Sequence, residues 1–256
     1  MYPTLFTFGP LTLSTLWIFI ILGTYVFLKF FIKNIQKHRG DFKFVYEEST
    51  FLLISFIVGA RLTSVIGNIG DYIQDLGSSL HIFAIWDKGF SFWGGMIVTL
   101  LALRYKTKQV KEPFKKWMDY LCEPFLYAMP IVAIGRFFDG AGYGSKTDLP
   151  FGVSFINMDV AIVTPVHPVQ LYSALLFCLV IFIVRRWNIR YKEYAEYDGA
   201  KASLVICLSS LAIFIENLFR GDPSLEIFGI RIGLFIASAV AAASAYYLYK
   251  LIHKSA

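Results

Sequence analysis

The sequence predicts an all-α integral membrane protein, a seven-transmembrane-helix bundle forming a single transmembrane domain over residues 1–256. Three observations carry this prediction. Hydrophobic residues make up 57% of the chain and the mean hydropathy is +0.59, whereas soluble domains run near roughly 45–50% apolar. Charged residues make up only 16%, against about 25% in a soluble domain. Lysine and arginine are also spread unevenly over the segments between the apolar runs, which reads the net charge of +6 as a topology signal. A nucleic-acid partner is therefore not expected.

A helix needs roughly 20 mostly apolar residues to cross the hydrocarbon core, and the candidate spans lie near 11–31, 49–67, 90–104, 117–135, 168–184, 203–219 and 232–250. The first has no basic stretch ahead of it and no A-x-A cleavage site, so it is expected to stay as a span. The third is short and predicts a tilted helix or a locally thin membrane. Cytoplasmic segments hold the basic excess. With the N-terminus outside and the C-terminus in the cytoplasm, 17 Lys and Arg fall on inner segments, including Arg104, Lys106, Lys108, Arg185 and Arg186. Outside lie only Lys88, Arg136, Lys146, Arg220 and Arg231. Cys122, Cys178 and Cys207 sit far apart in or beside apolar runs, and read as packing residues without a disulfide. No metal constellation and no nucleotide-binding loop is visible, so no cofactor is expected.

Two outer segments, 68–89 and 136–167, are long for connections in a bundle, and long loops are often functional. The second carries Asp139-Gly-Ala-Gly-Tyr143-Gly144, a turn in which backbone can approach a ligand closely or simply reverse direction. Ionisable groups at membrane depth are costly and mark a function or a satisfied structural pair. Arg61 falls inside the second span, Arg136 closes the fourth, and Glu216 with Arg220 closes the sixth. The last two are four apart, share a helix face and can pair; a structural ion pair is the plain alternative. His167 opens the fifth span and Ser91-Phe-Trp-Gly94-Gly95 opens the third, where the glycines also suit simple helix packing. Arg136, Arg220, His167 and the Ser91–Gly95 turn all fall at the outer side. An arginine pair there suits an anionic phosphate, because guanidinium binds phosphate oxygens bidentately and stays charged, so a lipid-headgroup site is predicted.

These residues resemble the bacterial prolipoprotein diacylglyceryl transferases over almost the whole chain. Phe8-Gly9-Pro10 is similar to the family's opening G-P, and Gly59-Ala60-Arg61 to its G-x-R. Trp86-Asp87-Lys88-Gly89 with Ser91-Phe92-Trp93-Gly94-Gly95 resembles W-D-x-G-x-S-F-H-G-G. Gly135-Arg136, then Gly140 to Gly144 and Thr147, resembles the G-R and G-E-x-[WY]-G signature. His167-Pro168-Val169-Gln170-Leu171-Tyr172 matches H-P-x-Q-L-Y, and Glu216 with Arg220-Gly221-Asp222 resembles the closing E-x-x-R-x-[PD] with one residue more between the charges.

The resemblance implies transfer of the diacylglyceryl group of phosphatidylglycerol to the lipobox cysteine thiol of a preprolipoprotein signal peptide. Glycerol 1-phosphate leaves, at the outer face of the bacterial cytoplasmic (inner) membrane. Membrane lipids and that signal peptide are the implied partners. Arg136 is the implied stabiliser of the leaving phosphate, with His167 as the replacement base. Arg220, Glu216, Asp87, Tyr143, Gly94, Gly95, Asp139, Gly144, Gln170, Tyr172 and Arg61 are the implied substrate-binding set. The chain departs from the pattern at the reacting centre. Trp93 stands for the expected histidine, Ala141 for an acidic residue and Ser173 for a glutamate. Ala212 or Ile213 stands for a second arginine, and the expected tyrosine falls near Leu16. These changes leave two readings, a divergent transferase or a non-catalytic relative that binds anionic lipid or lipoprotein signal helices. A small-solute transporter fits seven spans but lacks an inverted repeat.

Overall fold

The computed structural model describes residues 4–8, 11–38, 40, 42–67, 69, 91–110, 113–156, 161–224 and 226–253. In chain order these form β1 (Thr4–Phe8), β2 (Leu11–Ser14), α1 (Thr15–Lys37), α2 (Phe42–Gly67), α3 (Phe92–Gln109), α4 (Phe114–Asp139), β3 (Val153–Ile156) and β4 (Ala161–Val166). There follow α5 (Val169–Arg190), the single turn α6 (Lys192–Ala195), α7 (Ala200–Phe219), β5 (Glu226–Ile227), β6 (Ile230–Arg231) and α8 (Ile232–His253). The protein is thus mostly helical. Among the described residues, α1, α2, α4, α5, α7 and α8 are long and apolar enough to cross a membrane. Each coincides with a predicted span. The third predicted span coincides with α3, which has 18 residues and carries Arg104, Lys106 and Lys108, so it does not qualify by the same measures. Ile21, Leu62, Leu175, Phe182 and Ile236 are exposed on these helices, as expected of helices whose outer faces meet lipid rather than water.

The first predicted span begins four residues late, at Thr15. Leu11-Thr12-Leu13-Ser14 alternates with period two, the strand period, and pairs antiparallel with β1. Two further antiparallel hairpins, β3–β4 and β5–β6, occupy the segments after α4 and α7.

The chain divides into two compact units, residues 38–116 and the remainder. The smaller unit is a hairpin of α2 and α3. Ser91 caps α3 by accepting the Gly94 N–H at 3.3 Å, and its own N–H donates to the Ala60 carbonyl at 2.9 Å. A Cβ at Gly94 would meet Thr63, and one at Gly95 would meet Phe56, so both glycines let the two backbones approach. Lys106 pairs with Glu48 at 2.9 Å near the other end.

In the larger unit α1 lies against α4 through small residues. A Cβ at Gly23 would sit 3.0 Å from Val132, and one at Gly135 would be 2.5 Å from Phe19. Pro124 has no N–H, which leaves the Tyr120 carbonyl four residues back without its helical donor. Asn34 Nδ2 of α1 donates to that oxygen at 3.3 Å, re-satisfying it within the bundle. Leu126, Phe177, Val180, Val184, Val205 and Ala212 form a buried cluster joining α4, α5 and α7, and α8 packs along α7. This core holds the last turns of α4 and α7 and the first turn of α5 side by side.

Candidate functional site

The site is built where α4 and α7 end and α5 begins. Gly140, with φ of 81°, closes α4, its N–H donating to the Arg136 carbonyl at 2.9 Å. The chain then reverses through Gly142, with φ of 70°, a left-handed conformation that disfavours other residues. Residues 143–147 next run as an extended segment between two others. On one side Thr147 N–H donates to the Pro165 carbonyl at 3.0 Å, and Gly144 N–H to the His167 carbonyl at 3.1 Å. On the other, Ser145 N–H donates to the Phe219 carbonyl at 2.8 Å, and Gly221 N–H to the Tyr143 carbonyl at 3.0 Å. Gly144 touches the His167 backbone so closely that a Cβ there would collide with it. Backbone pairing thus ties the ends of three helices into one frame.

Glu216 lies at the centre with its side chain only 6% exposed. Its Oε1 accepts from Arg136 Nη2 at 3.2 Å, and its Oε2 accepts from Ser173 Oγ at 2.6 Å. Arg220 Nη1 approaches Oε1 at 3.9 Å, an ion-pair distance longer than a hydrogen bond. The pair expected from their spacing is thus present as a long ion pair, but not on a shared helix face. Arg220 instead lies just past the last helical residue with extended backbone, φ −70° and ψ 139°, and turns to Asp222. Its Nε donates to Asp222 Oδ1 at 2.8 Å and its Nη2 bonds the second carboxylate oxygen. That bidentate bond raises the Arg220 pKa above its ordinary value, against the opposing effect of burial. For Asp222 burial pushes the carboxyl up, yet the Arg220 hydrogen bond and the charges of Arg220 and Arg231 outweigh it and hold the group below the ordinary range.

Gly142 is packed over both guanidiniums, and a Cβ there would collide with Arg136 and sit 3.4 Å from Arg220 Nη2. Gln170, fully buried, donates from Nε2 to the Ala141 carbonyl at 3.0 Å and so holds that turn in place. His167 Nδ1 lies 3.1 Å from the Tyr172 hydroxyl, and both rings meet Phe219 edge-on. Arg136 and Arg220 keep 27% and 25% of their side-chain surface. A buried anion thus sits behind two reachable cations, an arrangement that accepts a further anionic group from outside.

Of the predicted residues, Arg136, Asp139, Tyr143, Gly144, His167, Gln170, Tyr172, Glu216 and Arg220 all fall in this frame. Asp139 is the last residue of α4, and Tyr143 contributes its backbone. Arg61, Gly94 and Gly95 belong to the smaller unit, Arg61 being buried on α2. Asp87 lies outside the described residues. The implied catalytic and substrate-binding residues did not include Ser173, Asp222, Arg231 or Gly142. Asp222 follows Arg220 by two and Arg231 is one of the five basic residues that the sequence assigns to the outer side, which were the available signals.

Fold and site together define a helical membrane protein with an arginine–carboxylate cluster at one end of its bundle. The family model for prolipoprotein diacylglyceryl transferase matches residues 3–250, and the chain belongs to that family. It is 28% identical over 237 residues to the phosphatidylglycerol–prolipoprotein diacylglyceryl transferase of Mannheimia succiniciproducens, covering 91% of this chain and 85% of that protein. The protein of the same name from Desulfotalea psychrophila is 29% identical over 233 residues, covering 87% of this chain and 82% of the relative. That of Corynebacterium diphtheriae is 23% identical over 257 residues, covering 95% and 90%.

Proposed function

We propose that this protein transfers the diacylglyceryl group of phosphatidylglycerol to the lipobox cysteine of preprolipoproteins, as the names of its relatives describe for them. It does so as one seven-span domain of the bacterial cytoplasmic membrane, with α3 as the seventh span and the cluster on the extracytoplasmic side. The lopsided distribution of Lys and Arg supports that orientation. The single observation that carries the reading is the pair Arg136 and Arg220, both partly exposed, flanking one buried carboxylate at the helix ends.

The chemistry assigns each group a task. A free thiol has a pKa of about 8.5, so its proton must be taken as sulfur attacks the glyceryl carbon. His167 takes it at Nε2, in the tautomer whose Nδ1–H donates to the Tyr172 hydroxyl 3.1 Å away. The C–O electron pair leaves with glycerol 1-phosphate, whose charge grows as the bond breaks, and Arg136 stabilises that charge in the transition state. Arg220 and Glu216 orient the headgroup, while Gln170 and Gly142 fix the turn above the guanidiniums. The test is complementation of a transferase-depleted bacterium, with mass detection of the diacylglyceryl thioether. Restored growth with the thioether present supports transfer. Failure despite good membrane expression would leave a lipid-binding relative without the reaction.

A further inference from the structure

Arg136, Glu216, Arg220 and Asp222 form an electrically neutral quartet, which leaves no net charge for an anionic headgroup. A fifth residue changes this balance. Arg231 closes the β5–β6 hairpin where the chain enters α8. Its Nη2 donates to Asp222 Oδ1 at 2.9 Å and its Nη1 to the Arg220 carbonyl at 3.2 Å. Its side chain is 12% exposed, about half as open as those of Arg136 and Arg220. The five groups joined by ion pairs run Arg136, Glu216, Arg220, Asp222, Arg231, alternating in sign, and this series, to which Asp139 and Glu226 do not belong, has one positive charge in excess. That excess matches the single negative charge of a phosphodiester.

The hairpin fixes where Arg231 sits. Phe228 and Gly229 both have positive φ, 53° and 74°, the signature of the tight turn that joins two-residue hairpin loops. Glu226 is thereby placed opposite Arg231. The Arg220 backbone is held from both sides, by Arg231 Nη1 and by its bridge to Gly144. Asp222 Oδ1 is shared between Arg220 Nε and Arg231 Nη2, so its charge is divided between two cations instead of resting on Arg220 alone.

We propose that Arg231 is a positioning residue for the phospholipid headgroup: it shares the charge of Asp222, leaving Arg136 and Arg220 one uncompensated positive charge for the phosphate. This inference rests on the headgroup reading above. The test titrates the purified full-length protein in detergent with short-chain phosphatidylglycerol, with phosphatidylcholine as the zwitterionic control, and measures transfer kinetics alongside. Arg231→Met weakens phosphatidylglycerol binding about tenfold and raises its KM to match, with kcat held within about threefold. Arg231→Lys keeps binding within about threefold of the parent, since an ammonium keeps the positive charge beside Asp222. The double variant Asp222→Asn/Arg231→Met removes both partners, restores the net positive charge and recovers binding to within about threefold.

Unchanged phosphatidylglycerol binding in Arg231→Met would overturn the proposal. So would a loss confined to kcat, or a double variant that binds as weakly as Arg231→Met. A parent protein that binds phosphatidylglycerol no better than phosphatidylcholine would overturn the headgroup reading itself, a result distinct from any of these.

Discussion

Among the described residues, the larger unit buries two carboxylates, and they are held in opposite ways. Asp119 lies near the start of α4 and Arg136, the partner of Glu216, near its end, about 25 Å apart at 1.5 Å per helical residue. Asp119 accepts the N–H of Gly199 at 2.6 Å and that of Ala202 at 2.7 Å. These are the first cap position of α7 and the third residue inside it, the pair of donors a capping box satisfies. Gly199 has no side chain to do so, and a carboxylate from α4 takes over. Glu216 is as deeply buried, but its partners are side chains, two of them arginines still a quarter exposed. Burial alone therefore does not distinguish the two. The distinguishing feature is whether the partners can reach anything else: backbone donors cannot, and guanidiniums can.

Substitutions should split along that line. Arg136→Ala is expected to slow transfer per folded molecule about 10²–10³-fold, the loss typical when a charge-stabilising donor is removed from a reacting centre, an effect larger than the stability lost with its hydrogen bond to buried Glu216. Thioether formation measured by mass spectrometry checks it, and retained activity would break the contrast. Asp119→Ala should do the reverse. It leaves two buried N–H groups without their acceptor, costing about 1–3 kcal/mol of stability, while activity per folded molecule stays within about twofold of the parent. Detergent-unfolding curves read the first quantity and specific activity the second. Ser173→Ala removes the hydroxyl that holds Glu216 Oε2 and frees the carboxylate to turn further onto Arg136. A rise in KM of about threefold to tenfold is expected, the effect of one charge-assisted hydrogen bond.

The helices were legible because apolar runs of membrane length leave few alternatives. The hairpins were not, since strands of two to six residues carry almost no pattern beyond a short alternation such as Leu11 to Ser14. In the site, Arg136, Glu216 and Arg220 were legible as charges at the ends of apolar runs. The Glu216–Arg220 ion pair was legible too, but the shorter bonds of Arg136 to Glu216 and of Arg220 to Asp222 were not. The i,i+4 rule assumes that both residues are helical, and Arg220 is the first residue that is not. Ser173 was recognised only as a departure from the family's glutamate. Its hydrogen bond to Glu216, 43 residues away, depends on how α5 and α7 pack. Arg231 was counted as an outer charge, but its reach to Asp222 depends on a turn closed by Phe228, a residue that seldom adopts positive φ. Asp119, in turn, has no local feature to mark it as the cap of a helix 80 residues on. Gly94 and Gly95 were read either as site or as packing residues, and their close contacts with Thr63 and Phe56 explain why glycine stands there without any ligand.

The smallest expected effect concerns pH and sharpens the comparison from the cluster's side. Asp222 is held below the ordinary carboxyl range: burial opposes this, and the Arg220 hydrogen bond with the charges of Arg220 and Arg231 prevails. A group whose folded pKa is depressed contributes its full stability above the unfolded value, about 3.9 for aspartate, and loses it as pH falls through the lower folded value. The melting temperature of the detergent-solubilised protein should therefore show no Asp222 contribution to its slope between about pH 5 and pH 8, with the loss confined below about pH 4. Asp222→Asn should lower the plateau by about 2–4 °C, the shift that about 1 kcal/mol produces in a chain of this size, and should make the acid decline shallower. The two curves should converge at the acid end, because protonation and the amide remove the same charge. If they stay parallel down to the lowest pH, Asp222 carries no charge-dependent share of the cluster. The alternation of cations and anions would then end at Arg220.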